Sequence, residues 1–144
     1  MAVSPNLARL KKLLSDFTVG KINTDKSVSL MNSTIHLKGG GAVVQTNNKS
    51  EPVTLNRNAG KITMRGDDAM NSGDVRHFTL NNVYISEDSV VLLNLVDNTH
   101  GNKYIAWVTH LNNNGSCRIT VEKISGGSET DAVVINFAVF HIQT

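Results

Sequence analysis

Five histidines, His36, His77, His100, His110 and His141, are the side chains best suited to metal binding or proton transfer. None stands in a spacing such as His-x-His or His-Glu-x-x-His, which would bring ligands together. Only around a symmetry axis would His110 and His141, near strand ends, gather into a cluster that binds an ion or gains charge near about pH 6. Asp67-Asp68 and Glu87-Asp88 carry enough carboxylate for calcium, yet no Asp-x-Asp-x-Asp-Gly loop surrounds them, and neither pair has a second motif for glycoside hydrolysis. Gly39-Gly40-Gly41 lacks the Lys-Ser or Lys-Thr of a phosphate loop and is expected to be a tight turn. There is no Gly-x-Ser-x-Gly elbow. Arg65-Gly66-Asp67 spells an adhesion tripeptide, a motif too short to be specific. The single cysteine, Cys117, alternates with Ile119 and Val121 and is expected to be a buried, inert thiol. The chain is therefore not expected to be an enzyme, and no cofactor or metal is expected.

The elements that would position these residues are mostly strands. With 144 residues, 40% hydrophobic and 18% charged, the chain suits one ordered domain rich in polar turns. Its first part differs. Over residues 4–17 the apolar residues Leu7, Leu10, Leu13, Leu14 and Phe17 recur at helical spacing, with Ser4 as cap, Pro5 at the first turn and Gly20 beyond the end. Such a short amphipathic helix is marginal alone and must pack on something. Its own domain, sister helices of an oligomer and a partner surface are equally open to it; residues 1–27 read as a helix and linker, and residues 28–144 as a β-sandwich.

From there the apolar period is two: Val28 and Leu30, Ile35 and Leu37, Val53 and Leu55, Ile62 and Met64. Turn-forming groups separate these runs, among them Asn32-Ser33, Asn47-Asn48, Asn58-Ala59-Gly60 and Asn71-Ser72-Gly73. Five further strands are expected near residues 76–80, 89–96, 103–111, 116–123 and 132–142. In one of them Cys117, Ile119 and Val121 should face the core and Arg118, Thr120 and Glu122 water. Val90 to Leu93, Ile105 to Val108 and Val133 to Phe140 are apolar on both faces, so their second face is expected to be covered by another subunit. A homo-oligomer follows, with three-fold symmetry the favoured form.

The scattered Lys and Arg residues, a net charge of +2, give no nucleic-acid footprint. No apolar run approaches the roughly 20 residues of a membrane helix. The N-terminus has no secretory signal pattern, which predicts synthesis in a cytoplasm and unused glycosylation sequons at Asn32, Asn48 and Asn114. Trp107 and Tyr104 suit a core or interface better than sugar stacking.

One ordered series of blocks stands out: Gly40-Gly41-Ala42-Val43-Val44-Gln45-Thr46, Val53-Thr54-Leu55-Asn56, Gly60-Lys61-Ile62-Thr63-Met64, Phe78-Thr79-Leu80-Asn81, Asp88-Ser89-Val90-Val91, Gly115 to Val121, Gly126-Gly127, and Asp131 to Val139. In its order and spacing it resembles a family of small phage and prophage virion proteins, over about residues 39–139. The resemblance implies a head decoration (cement) protein or a fibre or spike tip, often trimeric, with an antiparallel jelly-roll-like sandwich. It further implies assembly in the bacterial cytoplasm into the virion and a partner such as the major capsid protein. The alternative is a receptor- or glycan-binding tip, recognising a host through residues 97–102 and 112–115. On either reading Leu7, Leu10, Leu14 and Phe17 are the expected attachment residues, and Trp107, Val108, Phe137, Val139 and Phe140 the expected subunit interface.

Overall fold

The structure is a computed structural model and describes residues 40–96 and 102–142, which belong to the compact unit His36–Thr144. The arm of residues 1–27, and the strands expected around Val28 and Ile35, lie outside the described residues.

Eight strands follow in order: β1 Gly41–Val44, β2 Val53–Thr54, β3 Ala59–Thr63, β4 Val75–Asn81, β5 Ser89–Val96, β6 Tyr104–Asn112, β7 Ser116–Lys123 and β8 Val134–His141. They form two four-stranded sheets, β1-β3-β8-β5 and β2-β4-β7-β6. Period-two alternation explains the core between them. Phe78 and Leu80 of β4, Ile119 and Val121 of β7, Ile62 of β3, and Ile135, Phe137 and Val139 of β8 are all buried in one hydrophobic cluster. Among the described residues the fold is all-β, in keeping with the turn spacing.

The expected sandwich was wholly antiparallel, and here the structure differs. β1 pairs with β3, and β2 with β4, in parallel, while β3–β8, β5–β8, β4–β7 and β6–β7 are antiparallel. The reason is the path of the chain. From β1 to β6 each strand lies in the other sheet from its predecessor. A chain that crosses to the second sheet and crosses back returns running in its original direction. The turn-forming groups between β1 and β4 join strands of different sheets. Only β6 and β7 are consecutive strands paired in one sheet among the described residues. Their turn uses Gly115 at φ +79, a conformation that favours glycine, and Asn82 N donates to Gly115 O at 2.7 Å.

Two expected turns are strand instead. Gly41 opens β1, and Ala59 and Gly60 lie in β3. Gly60 is needed for close approach: a Cβ there would stand 2.6 Å from Leu55 Cδ2 and 2.9 Å from Phe137 Cε1. A bulge between Val108 and His110 also breaks the alternation of β6. It places both Val108 and Leu111 against the core, although three positions apart they would otherwise face opposite ways. Thr120, expected in water, is 1% exposed. It lies between Trp107 and His77 in the register, and His77 Nδ1 and Thr109 Oγ1 lie 2.9 Å and 3.3 Å from its Oγ1.

Candidate functional site

The residues expected to matter are distributed unequally by the fold. The attachment residues Leu7, Leu10, Leu14 and Phe17 lie outside the described residues. Of the five expected interface residues, Phe137 and Val139 are buried and Val108 is half-buried, all packed in the chain's own core. Trp107 and Phe140 remain at the surface, 38% and 42% exposed, on the outer faces of different sheets. Strand alternation accounts for the split, because neighbours in a strand point to opposite faces. His77 is tied to Thr120, and His141 Nδ1 lies 3.3 Å from Ser89 Oγ. His110 is exposed. Among the described residues no group of three or more His, Cys, Asp or Glu side chains is placed to hold a metal.

One end of the sandwich is organised around two lysines that the order of residues did not single out. Lys49 and Lys123 are both 0% exposed. Lys123 Nζ donates to Gly127 O at 2.6 Å and Glu129 Oε2 at 2.9 Å, and lies 5.6 Å from the centre of the Tyr104 ring. Lys103 Nζ meets the other Glu129 oxygen at 2.6 Å. Hydrogen bonds from Lys103 and then Lys123 hold the Glu129 carboxyl well below its ordinary range, at about 2. The Tyr104 hydroxyl donates to Asp131 Oδ2 at 3.0 Å, and burial followed by this carboxylate raises its pKa. Lys49 Nζ donates to the carbonyls of Arg65 and Asp68, while its backbone N–H donates to Asp68 Oδ2 at 2.7 Å. Burial pushes Lys49 down, opposed by the charge of Asp68. Buried ammonium groups need such partners. Here the acceptors are loop carbonyls and, for Lys123, also the Glu129 carboxylate, so each lysine fixes the loops it crosses.

The loops so fixed include Arg65-Gly66-Asp67, in which Arg65 pairs with Asp67 in the same loop and donates to Thr46 O at 2.8 Å. The adhesion-like tripeptide is therefore bonded to itself. A two-way bridge between Met70 and Glu129, at 2.9 and 3.1 Å, ties this loop to the loop after β7. Lys123 had a signal in the sequence: it continues the inward series Cys117, Ile119, Val121. Lys49 had none, since it is buried by a loop and not by a strand.

The two outer faces contrast. On the second sheet the rows pair Ile105 with Glu122 and Val75, Trp107 with Thr120 and His77, and Arg118 with Thr79. On the first, Leu92 lies beside Ala138 and Ala59, Phe140 beside Val90, and Asn94 beside Asn136 and Lys61. Lys61 is the one charge on these rows. Leu92 is 56% exposed, so the first sheet turns an apolar, almost uncharged face outward.

Comparison with known proteins finds no family model, no curated protein and no solved structure that matches this chain.

Proposed function

We propose that the chain is a structural protein of a bacteriophage particle, a trimeric head-decoration protein that reinforces a shell and is not an enzyme. The observation that carries this reading is the outer face of the first sheet, where Val90, Leu92, Ala138 and Phe140 form an apolar area with Lys61 as the nearest charge in the rows. Apolar faces of this kind mark contact surfaces. The ordered blocks in the sequence support the phage assignment. Passage of the chain from sheet to sheet supports a jelly-roll-like connection, with the parallel pairs β1–β3 and β2–β4 as its departures.

In this reading the protein acts mechanically. Three copies joined through apolar surfaces carry three attachment arms, and multivalency turns weak contacts with a shell protein into strong binding. The arm, with Leu7, Leu10, Leu14 and Phe17, makes those contacts. The mass of the purified protein by light scattering after size-exclusion chromatography tests the assembly: three times 15.6 kDa is expected, and a monomer overturns it. Deleting residues 1–20 should abolish binding to decoration-free phage shells while the trimer persists. Retained binding would remove the arm from the mechanism. Hundreds of copies per particle fit a head protein; a few tens would place it at a fibre tip.

A further inference from the structure

Asn114-Gly115 is the one Asn-Gly step in the chain. It lies in the turn between β6 and β7, where Asn114 is exposed and Gly115 adopts φ +79. An asparagine side chain is open to attack by its own backbone, because the nitrogen of the next residue can close a five-membered ring on Cγ. A following glycine has no Cβ to crowd that nitrogen.

The hydrogen bonds of the turn act on the atoms this reaction uses. Ser116 Oγ donates to Asn114 Oδ1 at 3.0 Å, and Asn112 Nδ2 donates to Ser116 Oγ at 3.0 Å. This relay draws electron density from the Asn114 side-chain carbonyl and sets a donor where an oxyanion would form. The attacking nitrogen is not committed elsewhere: in the backbone bonds of the described turns Gly115 accepts, from Asn82 N at 2.7 Å, and does not donate. Other asparagines lack one half of the arrangement. Asn48, Asn56 and Asn82 also accept a bond at Oδ1. The N–H after each is committed, however, Lys49 N to Asp68 Oδ2, Arg57 N to Leu55 O and Val83 N to Asn56 Oδ1. Asn47, Asn71 and Asn113 turn their amide nitrogens to carboxylates, and a residue with a Cβ follows each.

We infer that Asn114 is a deamidation site built into the β6–β7 turn. Gly115 N gives its proton to hydroxide and bonds to Asn114 Cγ; the Cγ–Nδ2 bond breaks, and ammonia leaves after taking a proton from water. Water then opens the cyclic imide. Attack at Cγ gives aspartate, and attack at the backbone carbonyl carbon gives isoaspartate; nothing is oxidised or reduced. Either product adds a carboxylate beside Glu87, which holds Asn113 Nδ2 at 2.7 Å. Isoaspartate also carries the main chain through Cβ and Cγ, which lengthens the turn between Asn113 and the Gly115–Asn82 bond. A slow, irreversible change of charge and shape is thus written into one loop, whether or not the chain assembles.

The test holds the full-length folded protein in mildly alkaline buffer for weeks and maps it by proteolysis and mass spectrometry. Asn114 should change first, giving aspartate and isoaspartate together at a rate that rises with pH. An intact Asn114, or another asparagine changing before it, overturns the inference. Aspartate without isoaspartate would mean direct hydrolysis and overturns it too. Ser116→Ala, with its fold checked by circular dichroism, should slow the change about two- to tenfold, the worth of one hydrogen bond. An equal or faster rate would show that the hydroxyl does not activate the amide. Asn114→Gln, at an exposed position, cannot close a five-membered ring and should keep its mass; the same mass gain in that variant would place the chemistry elsewhere.

Discussion

Lys123 occupies a core position because its strand puts it there, and it is tolerated because Gly127 O, Glu129 and the Tyr104 ring receive its ammonium group. Replacing it by methionine leaves Gly127 O without its donor and Glu129 with one cation fewer. We expect Lys123→Met to lower stability by on the order of 2 kcal/mol, read from urea midpoints at fixed protein concentration. Glu129 adds a dependence on acid. Its folded pKa is depressed to about 2 from 4.5, so its contribution is present above about pH 4.5 and is lost as pH falls toward 2. Urea midpoints should decline across that window, and Glu129→Gln should flatten the decline. Cys117 behaves oppositely: burial raises its thiol to about 11. It should resist a thiol reagent at pH 8 in the folded protein and react once the protein is unfolded.

At the scale of elements, the narrowest fit is β3 between β1 and β8. Gly41 O, Leu55 and Phe137 all stand within 3.0 Å of where a Gly60 Cβ would be, and none of the three can retreat without moving a strand or the core. Gly60→Ala should therefore cost about 2 kcal/mol despite its small volume, while the same change at Gly127, which has open space around it, should be nearly neutral. Comparing their thermal midpoints checks this. The bulge in β6 corrects the phase of its strand, since without the extra residue a Trp107 aligned outward would turn Leu111 outward as well.

For the whole molecule, stability and assembly are expected to be one property. If the apolar outer face of the first sheet is covered by a neighbouring copy, as the proposed trimer requires, folding is linked to protein concentration, and the thermal midpoint should rise as concentration is increased tenfold. A midpoint independent of concentration would separate folding from assembly. The loops held by Lys49 and Lys123 lie at an end of the sandwich, so ordering them needs no partner.

Residues 76–80, 89–96, 103–111 and 116–123 were legible as strands nearly to their ends, because hydrophobic alternation is a local property written in the order of side chains. The inward phase of Cys117, Ile119 and Val121 was equally legible, and with it the all-β class. What sequence could not settle was which strands become neighbours. Parallel pairing of β1 with β3 depends on the chain crossing between sheets, and a turn sequence such as Asn58-Ala59-Gly60 does not state whether the next strand lies beside the last or opposite it. Two-sided apolar strands were visible in the sequence, but only the packed sheets decided that Phe137 and Val139 serve the core while Phe140 and Trp107 stay outside. The buried lysines divide along the same line. Lys123 could be placed by counting along its strand, whereas Lys49 is buried by carbonyls of a loop more than a dozen residues away, a distance only tertiary structure closes.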